Sequence, residues 1–440
     1  MMKHFKIEGN AFALLPFFVF IFTFLGAGIF LNDFYALPSP VAVVLGIIVA
    51  FLIYKNSTDS KVATLIEGCG NSQIITMCLI YLFSGAFATV TQAMGAVDSV
   101  VNLGINNIDA EYFPLGIFLI ASFLSTSIGS SVGSIVALGP IAISLADKTG
   151  ASMPLIAGSL LGGSMLGDNL SIISDTTIAA TQSLGCKMRD KFKVNLFIAL
   201  PASVVTVLIL FYLVMNAEVC SVAIEKGNYE LVTILPYLLV IILAVSGVNV
   251  FTTLIIGILA AGIIGFIGNE FSLLQFTQKI YEGFLSMTDI FLLSMLTGGL
   301  AALVQKAGGI DYVLHKIKSK IKSKKSAQMG IGTLVSLTNI AIANNTVSIV
   351  ITGKIAKEIS DKYDLSTRKV ATILDVFSCI VQGILPYGAQ VLLIVGFAKG
   401  KIDFLDLISN AWYIYILLLF TIIAIYSTAW DKRINKFIKD

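Results

Sequence analysis

The chain has 440 residues, of which 57% are hydrophobic and only 12% charged, with a net charge of +3 and a mean hydropathy of +0.91. A soluble domain carries about 25% charged residues, so this composition excludes an ordinary soluble domain and points to an all-α polytopic membrane protein. The five cysteines, Cys69, Cys78, Cys186, Cys220 and Cys379, are scattered with no C-x-x-C pair, which argues against a disulfide framework or a zinc site and implies no cofactor.

The basic start Met1-Met2-Lys3-His4-Phe5-Lys6 leads into an apolar run with no small-residue cleavage site. It reads as a retained first span rather than a secretory signal. Apolar windows of membrane length fall at 11–31, 38–54 and 76–95. The connection 96–112 carries Asp98, Asp109 and Glu111 without a Lys or Arg, which suits the outside. Residues 113–147 hold two apolar runs around L-S-T-S-I-G-S-S-V-G-S. Each run is about 14 residues, too short for a hydrocarbon core of about 30 Å, so a re-entrant hairpin is expected here. Residues 152–184 read as a span broken in mid-membrane by G-D-N-L-S-I-I-S-D-T-T at 167–177. Irregular backbone at that depth is tolerated only in protein or beside a wet cavity. A basic cluster, Lys187, Arg189, Lys191 and Lys193, follows, and then a span at 194–215.

The second half continues with apolar windows at 232–248, 250–268 and 289–306. The lysine-rich stretch from His315 to Lys325 has spaced apolar residues around it, Ile310, Val313, Leu314, Ile317 and Ile321. It reads as an amphipathic helix on anionic lipid, with membrane lipid rather than nucleic acid as its partner. A second hairpin is expected at 329–360 around N-I-A-I-A-N-N-T-V-S, and a second broken span at 367–399 around Q-G-I-L-P-Y-G. A span at 404–428 precedes the terminal cluster Lys432, Arg433, Lys436 and Lys439. Placing the three basic clusters on one side puts both termini in the cytoplasm. About ten crossings result, with the first hairpin entering from outside and the second from inside.

The halves repeat. At a constant offset of 214, Ser134, Ile135, Val136, Gly139, Ile141, Ala142, Asp147 and Lys148 recur as Ser348, Ile349, Val350, Gly353, Ile355, Ala356, Asp361 and Lys362. One span earlier, Gln92, Gly95 and Asp98 recur as Gln305, Gly308 and Asp311 at an offset of 213. Five crossings and one hairpin per half is an odd count. Residues 1–220 and 221–440 are therefore expected to be inverted repeats with discontinuous helices, the organisation of alternating-access transporters.

Three carboxylates lie deep in apolar stretches: Asp168, Asp175 and Asp375. An ionised Asp at mid-bilayer costs at least about 2.5–3.5 kcal/mol, and a bound cation or proton would offset that. Around Asp168 stand Asn169, Ser171, Ser174, Thr176 and Thr177, and the facing tip offers Ser130, Ser131 and Ser134. These hard oxygens suit Na+ at Asp168 and Asp175. The second half offers neutral donors, Asn344, Asn345, Thr346 and Ser348 at the tip and Gln382, Tyr387 and Gln390 at the break. They suit a second ion or an organic solute. An acid in low dielectric takes a proton readily, so Na+ and H+ can compete for one carboxylate. Structural readings stand beside these. Either aspartate alone could cap the half-helix after the break. Asp375 could pair with Lys354 or Lys357, and the serines could serve tight packing.

The stretch 167–177 resembles the signature of the NhaC family of sodium/proton antiporters, roughly G-D-x-x-S-P-x-S-D-T-T. Gly167, Asp168, Ser171, Ser174, Asp175, Thr176 and Thr177 match, while Ile172 stands in place of the proline. The tip G-S-S-V-G-S at 129–134 is similar to the family's G-T-S-W-G-T, with Val132 for the tryptophan. The resemblance implies a bacterial inner-membrane protein of the ion transporter superfamily, with Na+/H+ exchange as the usual activity and a homodimer as the family-level assembly. Its relatives include sodium-coupled carriers of organic acids or amino acids, such as malate–lactate exchangers, so a small organic solute stays open as substrate. Arg189, Arg368 and Arg433 fall in loops or at span ends, which disfavours a dianion more than a zwitterion. An intramembrane aspartyl protease would want G-x-G-D where the chain has M-L-G-D. A primary pump would want G-x-x-x-x-G-K-[ST], which is not apparent.

Overall fold

The computed structural model describes residues 9–31, 37–171, 174–216 and 228–427. His4, Ile172, Cys220, and the terminal Lys432, Arg433, Lys436 and Lys439 lie outside the described residues. Every regular element among the described residues is a helix. The first half comprises α1 (Leu15–Leu31), α2 (Ser39–Ile53), α3 (Thr58–Cys69), α4 (Ser72–Ala93), α5 (Ala96–Asn107), α6 (Phe113–Ile128), α7 (Ser131–Thr149), α8 (Met153–Leu170), α9 (Asp175–Leu184) and α10 (Met188–Met215). The second comprises α11 (Leu231–Val245), α12 (Val250–Ile267), α13 (Leu273–Ser286), α14 (Thr288–Lys306), α15 (Gly309–Lys318), α16 (Lys324–Ile342), α17 (Asn345–Lys362), α18 (Thr367–Ile384), α19 (Ala389–Ala398), α20 (Phe404–Ser409) and α21 (Trp412–Tyr426). Seven helical stretches are long and apolar enough to cross a membrane, and four shorter helices are equally apolar. Large side chains on their outer faces, among them Phe22, Leu52, Phe123, Leu208 and Ile267, are exposed. This is the surface of a multi-pass membrane protein, where lipid tails replace water.

The order of elements recurs. Two apolar helices lead to a short helix, a long helix, another short helix, a helical hairpin, a broken helix and a last apolar helix. The short helices α5 and α15 are both entered through a left-handed glycine, Gly95 (φ 75°) and Gly308 (φ 85°). The halves cross-pack, α3 on α14 and α13 on α4, then α7 on α19 and α17 on α9. The last two contacts use one device. A Cβ on Gly139 would lie 2.5 Å from the Phe397 ring, and one on Gly353 would lie 2.4 Å from Ser183. Both partners stand at the offset of 214.

The hairpin tips share a backbone. Gly129 (φ 75°) ends α6 and Ala343 (φ 57°) ends α16, each left-handed. The next residues, Ser130 and Asn344, are extended N-caps whose side chains accept from Gly133 N and Val347 N. A left-handed alanine costs energy that glycine would not.

Two expectations from sequence need correction. The hairpin arms have 16, 19, 19 and 18 residues rather than about 14. The polar end of α6 stays helical because Thr126 and Ser127 donate to the carbonyls of Ser122 and Phe123 one turn back. Arm length therefore does not by itself make these hairpins re-entrant. The window 404–428 is two helices, not one. Asp403 caps α20 by accepting from Asp406 N, and Asn410 Nδ2 donates to the Asp406 carbonyl, closing α20 before α21 starts.

The hairpin is fastened to the broken helix without slack. Ser125 Oγ donates to the Ser164 carbonyl at 2.6 Å, and Asn339 Nδ2 makes the equivalent bond to the Ser378 carbonyl at 2.8 Å in the second half. One turn on, a Cβ on Gly167 would sit 2.1 Å from Ser125 Oγ and 2.4 Å from its backbone carbon. Gly167→Ala is expected to cost about 1–3 kcal/mol by forcing α6 off α8, measured as a lower unfolding midpoint in detergent. An unchanged midpoint would contradict this packing.

Candidate ion-binding site

Asp168 sits in the last turn of α8, buried at 5% exposure. One residue of the facing tip grips both of its oxygens. Ser131 N donates to Oδ1 at 2.7 Å and Ser131 Oγ to Oδ2 at 2.5 Å. Ser131 is the first residue of α7, so its amide is one of those a helix leaves unpaired, and the helix dipole favours an anion there. An ionised carboxylate offers about four acceptor positions. Ser131 uses two of them, leaving capacity on the side that lines the cavity.

After the break, Ser174 caps α9, accepting from Thr177 N and donating to the Asp168 carbonyl at 3.0 Å. The capping role thus falls to Ser174 and not to either aspartate. Asp175 stands in the first turn of α9, exposed toward the cavity, with Thr176 buried beside it.

The second half reaches the same place. Gln390 Nε2 donates to Ser131 Oγ at 2.9 Å, and Gln382 Nε2 donates to Gln390 Oε1 at 3.0 Å. Gln382 is the residue 214 positions from Asp168. Among the described residues its Oε1 is a buried acceptor with no hydrogen-bond partner. A cavity of about 400 Å³ gathers Ser130, Ser131, Asp168, Asp175, Thr176, Asn344, Asn345, Thr346, Gln382 and Gln390. Ser72, Gln73 and Thr76 at the start of α4, and Asn249 before α12, complete its polar wall. None of these four was singled out from sequence, because each lies at a helix start where polar residues are ordinary.

Other expected residues point elsewhere. Ser134 Oγ contacts the Ala121 carbonyl and Ser164 Oγ. Ser348 Oγ donates to the Asn344 carbonyl. Both are buried packing contacts behind the tips. Ser171 caps α8 by its backbone. Asn169 is buried behind the cavity wall, donating to the Met165 carbonyl at 2.9 Å and the Tyr413 hydroxyl at 3.4 Å. Tyr387 donates to the Ile340 carbonyl at 2.7 Å and packs against Phe17 and Phe20.

Asp375 belongs to a second polar cluster beside the cavity. It pairs with neither Lys354 nor Lys357; Lys357 pairs with Asp361 at 2.7 Å. Its partner is Lys191, 2.5 Å away, with side chains 0% and 1% exposed. Lys191 is therefore not a loop residue. The helix α10 begins at Met188, before the apolar run starts, and carries Lys191 inward. Lys191 Nζ also donates to Thr177 Oγ1 at 2.7 Å and the Asn169 carbonyl at 3.4 Å. Asn195, one turn along α10, donates to the same carbonyl and to Asp375 Oδ2.

Helix breaks, polar tips and a buried carboxylate in one cavity suit an ion carrier, and the comparison with known families agrees. The model of the Na+/H+ antiporter family matches residues 10–215 and 220–430. The chain belongs to the Na+/H+ antiporter family. It is a secondary transporter and not an enzyme, so the protease reading of M-L-G-D is set aside. This antiporter is 24% identical over 377 residues to the malate-2H(+)/Na(+)-lactate antiporter of Bacillus subtilis, covering 79% of each chain. It is 24% identical to the Na(+)/H(+) antiporter NhaC of Alkalihalophilus pseudofirmus, over 70% of this chain and 72% of that one. It is 23% identical to the arginine/ornithine antiporter ArcD of Halobacterium salinarum, over 86% and 84%. Among solved structures it is similar to the YdaH transporter of Alcanivorax borkumensis, with a TM-score of 0.45 and 12% identity over 85% of this chain and 89% of that one.

Proposed function

We propose that the chain exchanges Na+ for H+ by alternating access, with Asp168 as the carboxylate for which the two ions compete. The observation that carries this reading is the placement of Asp168: buried, held by one hairpin tip, and lining a cavity shared with the other tip and both breaks. Na+ would take the free lone pairs of Asp168 and the unpaired Oε1 of Gln382, with hydroxyls and backbone carbonyls at the tips as further hard donors. A proton on Asp168 would neutralise the same charge. Asp175, at the N-terminus of α9 and open to the cavity, attracts the cation and stays solvated.

The architecture that suits this activity is about ten crossings with two re-entrant hairpins, in two inverted repeats. The recurring order of elements, the matched tip geometry and the separate family match to each half support it. If both termini are cytoplasmic, the start of α4 and the link between α11 and α12 face the cytoplasm, and there Ser72, Gln73 and Asn249 of the cavity wall are exposed. On the opposite side the ion pairs Lys148–Asp98 and Lys401–Asp147 hold α7 to α5 and to the end of α19.

A second reading is sodium-coupled carriage of an amino acid or small carboxylate. A volume of about 400 Å³ is within the range of small-molecule sites, and relatives at similar identity are named for malate, lactate, arginine and ornithine. Proteoliposomes holding a pH dye separate the readings. A Na+ pulse with no organic solute is expected to move protons at once. Protons that stay still until malate, lactate or an amino acid is added would establish the second reading instead.

A further inference from the structure

We propose that Lys191 is a tethered cation: its ammonium fills a second monovalent-cation site, formed by the Asp375 carboxylate, Thr177 Oγ1 and the Asn169 carbonyl, leaving Asp168 as the mobile ion's site. The inference rests on Asp168 being that mobile site only for its last clause. Among the described residues Lys191 Nζ donates to three hard oxygens, at 2.5, 2.7 and 3.4 Å. The set comprises one carboxylate, one hydroxyl and one backbone carbonyl freed by a helix break, the donors a sodium ion would take. The Asn169 carbonyl lies in the last turn of α8, the negative end of that helix.

Stability alone gives little reason for the pair. Desolvating two charges cancels much of their attraction, and an apolar pair of similar volume holds a fold as well or better. A second observation points to cation ligation. Among the described residues, Asn169 Oδ1 and Asn195 Oδ1 are buried acceptors with no hydrogen-bond partner. Both belong to residues that already bound the ammonium pocket, so a free ion replacing the ammonium would find further oxygens within a side-chain rotation. The carboxylate comes from α18 of the second half, the other donors from the two pieces of the first broken helix. The site therefore clamps the two broken helices together, and a tethered ammonium keeps the clamp closed whichever ion occupies Asp168.

The test uses full-length protein in detergent at about pH 8.5. Isotopic Na+ binding and the thermal unfolding midpoint are measured in choline and in rising Na+, for the wild type, Lys191→Ala and Lys191→Ala/Asp375→Asn. The expected stoichiometry is one Na+ per chain for the wild type, two for Lys191→Ala and one for the double variant. Lys191→Ala is expected to unfold at a lower temperature in choline and to recover with Na+, whereas the double variant is stable in choline. If Lys191→Ala does not survive choline, it is purified in Na+ and its binding read by dilution, with the double variant supplying the choline measurement. Lys191→Ala binding no more Na+ than the wild type, or a midpoint deficit equal in Na+ and choline, would overturn the proposal. A wild type that binds no Na+ beside a Lys191→Ala that binds one would support the tethered cation while contradicting the assignment of Asp168.

Discussion

Asp168→Asn is expected to abolish Na+-driven proton movement while the protein still folds. The amide is nearly the shape of the carboxylate. Its oxygen can accept from Ser131 N, and its nitrogen can donate to Ser131 Oγ, so the tip stays docked and folding changes by about 1 kcal/mol or less. What disappears is the charge. A cation about 4 Å from a carboxylate at an effective dielectric of about 20 gains about 4 kcal/mol, so ion affinity is expected to fall by about 10²–10³-fold. No amide titrates in this range, so proton exchange at the position is lost outright. Asp175→Asn removes a charge that faces solvent, where the same Coulomb energy is about 1 kcal/mol, and is expected to weaken exchange by no more than about tenfold. Proteoliposome flux of the two variants beside the wild type checks both. Full exchange by Asp168→Asn would remove the carboxylate from the mechanism.

Asp375→Ala is expected to be the most destabilising single change among the ionisable groups described. It leaves the Lys191 ammonium buried with Thr177 and one carbonyl as partners. Breaking a buried pair by removing one member costs about 3–5 kcal/mol, a large part of the net stability of a typical fold. The comparison that identifies the cause is Lys191→Met/Asp375→Leu, in which no charge is left stranded and most of the lost stability should return. Unfolding midpoints in detergent supply the measurement. An Asp375→Ala protein as stable as the wild type would mean that the pair carries no structural weight.

The pieces of the site visible in sequence were those that break an apolar pattern. Asp168, Ser131, Gln382 and Gln390 stand out because a membrane segment has no local use for them, and the structure brings all four into one hydrogen-bonded chain. The offset of 214 was equally legible, and the same spacing relates Gly129 to Ala343 at the tips and the Ser125–Ser164 bond to the Asn339–Ser378 bond. Lys191 was hidden by its company. Among Lys187, Arg189 and Lys193 it reads as one more basic residue beside a membrane, and only the inward turn of α10 sets it apart. Local spacing also misdirected the partner of Asp375, since Lys357 is taken by Asp361 on its own helix. Ser134, Ser348 and Tyr387 are polar residues in apolar stretches too, yet each spends its hydroxyl on a nearby carbonyl. Composition cannot distinguish a hydroxyl turned to a backbone from one turned to an ion.

Competition of Na+ and H+ for one carboxylate is tested most directly by the apparent dissociation constant for Na+ as a function of pH. It is best measured on wild-type protein at equilibrium from about pH 6 to about pH 9 with no gradient and no organic solute. Mutual exclusion at Asp168 predicts a constant that levels off at high pH and rises toward about tenfold per unit as pH falls through the titration of the site, a dependence that Asp168→Asn loses together with the binding. An affinity that holds steady across the whole range would mean that the two ions occupy separate sites and would contradict the exchange mechanism proposed for this antiporter.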